Sequence, residues 1–275
     1  MQSKHVFRRA GVIAGVICSA VLTGCASFVS DDQLEAQGQA TFDKMQAEVP
    51  LVKDPATINF VTCVAEAIVE SLEGEPAMFE WELAIFNQQQ INAFVLPGGK
   101  ISVYTGLLQV TKNDAQLAAV IGHEVAHVTE RHPAERIART NATMTGAQIL
   151  SGIVGGTPIA AQSASTAIQI GAQLGLLLPF TRGQESEADE VGLEFMANAG
   201  FDPRESVKLW QNMQDSRDGE PPEFMSTHPS SETRIDKLIS QMPKALLLYN
   251  NAQQAGRRPN CPRPNFPEPK KPKEK

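Results

Sequence analysis

The sequence contains no uninterrupted run of about 18 apolar residues, the least a helix needs to span a bilayer. It carries no basic excess either: 24 Lys and Arg stand against 31 Asp and Glu, which argues against nucleic acid as a partner. Internal repeats are absent. Cysteine is scarce, with only Cys18, Cys25, Cys63 and Cys261 in 275 residues. The most local absence is charge between Thr140 and Thr181, where 42 successive positions hold no Asp, Glu, Lys or Arg. Gln148, Ser151, Thr157, Pro158, Gln162, Ser163 and Gln169 interrupt that stretch, so it does not read as a membrane hairpin. It reads as a helical insertion of two Ala/Gly-rich segments, or a mobile loop, broken near Gly155 to Pro158.

What is present suits a globular protein with one good-sized domain or two small ones: 42% hydrophobic and 20% charged residues. The N-terminus stands apart. Lys4, Arg8 and Arg9 precede a short apolar run from Ala10 to Leu22, and Leu22-Thr23-Gly24-Cys25 follows. This resembles a bacterial lipobox, with residues 1–24 as signal peptide and Cys25 as the lipidated residue that ties the protein to a membrane. Alanine at position 26 implies, in a Gram-negative cell, the periplasmic face of the outer membrane. Removing Cys18 and Cys25 leaves Cys63 and Cys261 as a candidate disulfide in an oxidising compartment.

Along the mature chain, amphipathic helices are expected over Ser30–Glu48 and from Asp54-Pro55, with Ile58, Val61, Val64, Ala65, Ile68 and Leu72 at helical spacing. The period then shortens. Trp81–Phe86, Ala93–Leu96 and Lys100–Tyr104 read as strands of a small antiparallel sheet, with Pro97-Gly98-Gly99 as a turn. Further helices are expected from Asp114 (as N-cap), over Gln184–Gly200, from Asp202-Pro203 to about Asp215, and from Ser231, the last turning Ile235, Leu238 and Ile239 inward. From Asn250 the Pro-rich basic tail is expected to be mostly disordered, Cys261 apart if paired.

The chemistry concentrates in His123-Glu124-Val125-Ala126-His127, flanked by Ala118-Ala119-Val120-Ile121-Gly122. Residues four apart share a helical face, so the two imidazoles can grip one Zn2+. Glu124 is then placed to take a proton from a metal-activated water. Two His do not complete a zinc site. A metzincin continuation requires Gly at 130 and His at 133, where the chain has Glu130 and Pro133, and His132 reads as a helix-end residue. A carboxylate from a second helix is the alternative. Glu185 and Asp189 lie four apart on one face, with Glu187 pointing elsewhere.

With these motifs the chain resembles the gluzincin family that contains the HtpX protease and the CAAX prenyl endopeptidases. Asn92 to Gly99, Val103 to Leu108, and Ser226-Thr227-His228-Pro229 with Arg234 six residues after His228 carry the same resemblance, which extends over about residues 40–242. Lacking convincing transmembrane helices, the chain is similar to the family's periplasmic lipoprotein and soluble branch. The resemblance implies an α+β, mainly helical, zincin-type domain over residues 25–249 with its small sheet beside the H-E-x-x-H helix. It implies one Zn2+ held by His123, His127 and Glu185, with Glu124 as general base and acid and Asp189 backing a ligand His. His228 would face the metal, stabilising the tetrahedral intermediate or occupying the open coordination position as an inhibitory ligand, supported by Arg234. Asn92, Ala93 and Phe94 would bind substrate backbone by β-addition. The activity implied is endopeptidase action on misfolded or unassembled envelope proteins. Two rivals stand beside it: a latent protease that serves as an assembly factor for outer-membrane proteins with an envelope partner, and a lipoprotein that binds zinc only for stability.

Overall fold

The computed structural model describes residues 30–140, 179–215, 223–228 and 232–266. The expected signal segment with Cys25, and nearly all of the charge-free stretch, lie outside the described residues. Helix starts follow local capping chemistry. Ser30 opens α1 (Asp31–Glu48) with a capping box completed by Gln33. Asp54 caps α2 (Pro55–Glu70), accepting from the Thr57 amide at 2.9 Å. The N-cap of α4 (Asp114–Thr129) is Asn113 rather than Asp114, because the Asn113 side chain accepts from the Gln116 amide at 2.8 Å.

Three strands, β1 (Glu82–Phe86), β2 (Ala93–Leu96) and β3 (Lys100–Tyr104), form a sheet of order β1-β3-β2. β2 and β3 are the antiparallel hairpin the Pro97-Gly98-Gly99 turn suggests, but β1 pairs with β3 in parallel, so the sheet is mixed. A meander would have been wholly antiparallel. The difference lies in the β1–β2 connection, which crosses the end of β3 instead of folding back beside β1. Its Gln88 carbonyl accepts from the Gly106 amide at 2.8 Å and from the Thr105 hydroxyl at 2.8 Å, at the start of α3 (Thr105–Val110). Only glycine fits there: a Cβ on Gly106 would stand 2.2 Å from the Gln89 carbonyl oxygen.

α4 runs through the core, with every residue from Ala115 to Val128 buried. It packs on α2, on β2, on α5 (Arg182–Asn198) and on α6 (Arg204–Asp215). α1 covers the other face of the sheet, where fully buried Phe42 joins Ala84, Phe86 and Leu96. β2 is left as a sheet edge with no further strand beside it among the described residues. No described helix is long and apolar enough to cross a membrane. Short α7 (Glu223–Thr227) leads to α8 (Glu232–Gln254). In α8 Leu238 is buried as expected, but Ile239 is 53% exposed, since the helix turns it away from α5.

The tail departs most from expectation. α8 continues past Asn250 to Gln254, and the segment to Phe266 is packed rather than loose. Arg263 supplies donors to carbonyls left open at the C-terminal end of α3, reaching Leu108 O at 2.8 Å and Thr111 O at 3.0 Å. Phe266 packs near Phe60, and Cys261 is bonded to Cys63 across a sequence separation of 198.

Candidate metal centre

Two helices meet at backbone contact. A Cβ on Gly192 of α5 would come within 2.7 Å of the His123 amide nitrogen, and one on Gly122 within 2.8 Å of the Gly192 carbonyl oxygen. Gly192 follows Glu185 and Asp189 on one face of α5 at helical spacing, so the absence of side chains at 122 and 192 brings those carboxylates onto the histidine face of α4.

The result is a buried cluster in which His123, His127, Glu185 and His228 place one donor atom each within 4.8 Å of one another. Nε2 of His123 lies 3.1 Å from Nε2 of His127 and 3.2 Å from Nδ1 of His228. Glu185 Oε1 is 3.0 Å from His228 Nδ1 and 3.5 Å from His127 Nε2, and its Oε2 is 3.7 Å from His123 Nε2. The edges of a tetrahedron around a zinc ion with bonds of about 2.0–2.1 Å measure about 3.3–3.4 Å. Three imidazole nitrogens and a carboxylate at these separations suit a zinc-type cation in both donor chemistry and spacing.

Arg234 ties the carboxylates together. Its Nε and Nη2 donate to Asp189 Oδ2 at 2.6 Å and Oδ1 at 2.7 Å, and its Nη1 stands 2.7 Å from Glu185 Oε2. The guanidinium lies over the Trp210 ring, 4.1 Å from its centroid. Asp189 in turn is 3.1 Å from Nδ1 of His123. Burial pushes the Asp189 carboxyl up, but Arg234 outweighs it and holds it below its ordinary range. Burial likewise opposes Glu185, whose contacts with His127 and His228 keep it low. Burial drives His127 well below the imidazole range, while Asp189 outweighs burial and raises His123.

Glu124 is raised above the usual carboxylate range, chiefly by burial. Its Oε1 lies 3.3 Å from His228 Nε2 without forming a hydrogen bond. The ring of His228 therefore stands between Glu124 on one side and the Glu185–His123 donors on the other. A cleft of about 200 Å³ opens beside these groups, lined by Asn92, Phe94, Arg136 and Phe180 among others. Asn92, Ala93 and Phe94 all border it, at the sheet edge.

Two contributors are not legible in the sequence patterns. Phe180 stacks on His127 with ring centroids 3.8 Å apart, and Arg136, its guanidinium pushed down to about 10 by burial, lies over Phe180. Nothing in their surroundings in sequence marks either. The Gly122/Gly192 pair has a signal in hindsight, a glycine three residues after Asp189 on the same face. His132 is not at the end of α4. Arg131 takes a left-handed φ of 60°, and His132 opens the next helical stretch, residues 132–140, with its Nδ1 2.9 Å from Nδ1 of His127. Glu187 lies off the face of Glu185 and Asp189, outside the donor cluster, and its Oε2 reaches His132 Nε2 at 3.3 Å.

A mainly helical α+β domain with a small sheet, two histidines one turn apart and a carboxylate from a neighbouring helix defines a zincin-like fold with a metal-binding cluster. The profile of peptidase family M48 matches residues 56–241, and the chain belongs to that family. It is similar to the mitochondrial metalloendopeptidase OMA1 of Schizosaccharomyces pombe, 43% identical over 171 residues covering 60% of this chain and 48% of that protein. It is also similar to the beta-barrel assembly-enhancing protease of Yersinia pestis, 31% identical over 219 residues, 78% of this chain and 44% of that protein. The OMA1 of Saccharomyces cerevisiae is 34% identical over 222 residues, 75% and 62%. The chain spans about half the length of the first two of these curated relatives.

Proposed function

We propose that the protein is a zinc-dependent endopeptidase, with one zinc ion held by His123, His127 and Glu185. The observation that carries this reading is the near-tetrahedral spacing of buried donors directly beside the buried carboxylate of Glu124. Bound there, zinc would supply Lewis-acid polarisation of a scissile carbonyl and a more acidic water. Glu124 would accept a proton from that water and return it to the departing amine. Asp189 would hold the His123 ring by its Nδ1, and Arg234 would fix both carboxylates of α5. The β2 edge at Asn92, Ala93 and Phe94 would take substrate backbone by strand addition, which accepts many sequences. Misfolded or unassembled envelope proteins are the substrate class this suits, reached from a lipid anchor on Cys25 at the periplasmic face of the outer membrane. The relatives named beta-barrel assembly-enhancing protease support the envelope setting.

A second reading is favoured by His228. Its Nδ1 supplies the fourth corner of the donor set, and its ring fills the space between Glu124 and the other donors. A largely latent protease, self-inhibited by His228 and serving chiefly in outer-membrane protein assembly with an envelope partner, would look like this. The experiment is casein cleavage by the zinc-loaded chain beside Glu124→Gln and His228→Ala. Cleavage lost in Glu124→Gln with zinc retained is the expected result, and equal cleavage by Glu124→Gln and the parent chain would refute Glu124 as the base. Raised cleavage in His228→Ala is what latency predicts; loss of cleavage would make His228 an assisting group instead.

A further inference from the structure

The two histidines of the H-E-x-x-H helix are backed by different chemistry. His123 turns Nδ1 to a carboxylate, Asp189, at 3.1 Å. His127 turns Nδ1 to a second imidazole, His132, at 2.9 Å, and that ring is 1% exposed. The far nitrogen of His132 meets Glu187 Oε2 at 3.3 Å, and the Glu187 side chain is 56% exposed. Two nitrogens at 2.9 Å need one proton between them: one must donate and the other accept.

The direction of that hydrogen bond rests on the proposed role of His127 as a zinc ligand. If the lone pair on His127 Nε2 faces the cation, the single N–H of that neutral ring is on Nδ1 and donates to His132 Nδ1. His132 then carries its own proton on Nε2 and donates it to Glu187. One placement of protons satisfies all three groups, and the rings are held in orientation along the chain. The reverse placement puts a proton on His127 Nε2, where it would point at the other donors and repel a cation.

We infer that His132 is a positioning residue: through the His127–His132–Glu187 chain it fixes the tautomer and orientation of His127, and so part of the affinity of the site for its metal. Partners of this kind, lying one shell behind a metal ligand, typically govern about 10- to 100-fold in metal affinity. Phe180 clamps the His127 ring by its face, 3.8 Å between centroids, which limits tilting but leaves rotation about the ring normal to the Nδ1 contact.

The test is zinc affinity of the full chain by competition with a chromogenic chelator, read beside the thermal midpoint of the metal-free protein. His132→Leu keeps buried volume and removes the acceptor; His132→Asn keeps an acceptor oxygen near the place of Nδ1. The expected result is a roughly 10- to 100-fold weaker zinc affinity in His132→Leu, recovered in large part by His132→Asn. Glu187→Ala, at an exposed position where no repacking is needed, should weaken binding in the same direction by less, and it decides the matter alone if His132→Leu does not fold. Affinity within twofold of the parent in Glu187→Ala and in any folded His132→Leu would overturn the inference while leaving the metal site intact, provided His127→Ala abolishes binding. A parent chain that binds no zinc would instead overturn the site reading, and this inference with it.

Discussion

Replacing Gly192 by alanine tests whether backbone contact between α4 and α5 builds the centre. The new Cβ would meet His123 N at 2.7 Å, and Gly122 C and His123 Cα at 2.8 Å. All three are helix backbone, so no side chain can swing aside. Restoring ordinary contact near 3.4 Å or more requires the helices to part by at least about 0.7 Å at this crossing, and overpacking of this kind costs about 1–3 kcal/mol. Alanine recovers about 1 kcal/mol of helix propensity over glycine. The net expectation is a loss of about 0–2 kcal/mol in stability, together with weaker zinc binding as Glu185 and Asp189 recede from His123 and His127. The same helix contains its own control. A Cβ on Gly183 would find only the Thr181 hydroxyl at 3.9 Å, so Gly183→Ala collects the propensity gain without the clash. Urea denaturation of the two variants should therefore separate them by about 1–3 kcal/mol, with only Gly192→Ala losing metal affinity. Equal midpoints and equal zinc affinities would refute the claim that the close approach sets the site.

The other expectations concern the groups that hold this centre and its frame. Arg234→Met leaves the buried carboxylates of Asp189 and Glu185 without their cation, and losing one partner of a buried charge cluster costs about 3–5 kcal/mol; metal-free denaturation curves measure it, and a change under about 1 kcal/mol would show the carboxylates find other partners. Arg234→Lys should rescue only part of that loss, because a single ammonium cannot make the paired contact with Asp189 and also reach Glu185. Breaking the Cys63–Cys261 cross-link by Cys261→Ser should lower stability by about 2–5 kcal/mol, the chain-entropy ceiling for so long a loop being about 5 kcal/mol. Stability independent of reductant, followed by urea melts with and without it, would mean that Arg263 and Phe266 hold the tail by themselves.

The parts of the centre that are legible in the sequence are those set within one helix. His123, Glu124 and His127 follow from a four-residue spacing, as do Glu185 and Asp189, and the structure brings all five together with His228 and Arg234. What spacing does not reveal is how one element lies on another. The parallel pairing of β1 with β3 depends on a connection crossing over Gly106, and a strand pattern reads the same in either sense of pairing. The placement of the tail as far as Phe266 depends on Arg263 finding carbonyls some 150 residues away, although composition alone reads as loose chain. His132 is misplaced by its sequence surroundings for a related reason. Its position five residues after His127 looks like the end of one helix, but the left-handed turn at Arg131 stops α4 and redirects His132 back against the ring it follows. Each of these is a contact between segments that local sequence marks only weakly, through a glycine or a turn. The same logic bears on His228. A His ahead of a helix has no claim on a metal until α7 and Arg234 carry it into the cluster, where its ring lies against both Glu185 and Glu124. Whatever moves the segment bearing His228 would therefore change the fourth donor position and the surroundings of Glu124 together, so the proposed metal coordination and the proposed proton acceptance would be coupled through one side chain.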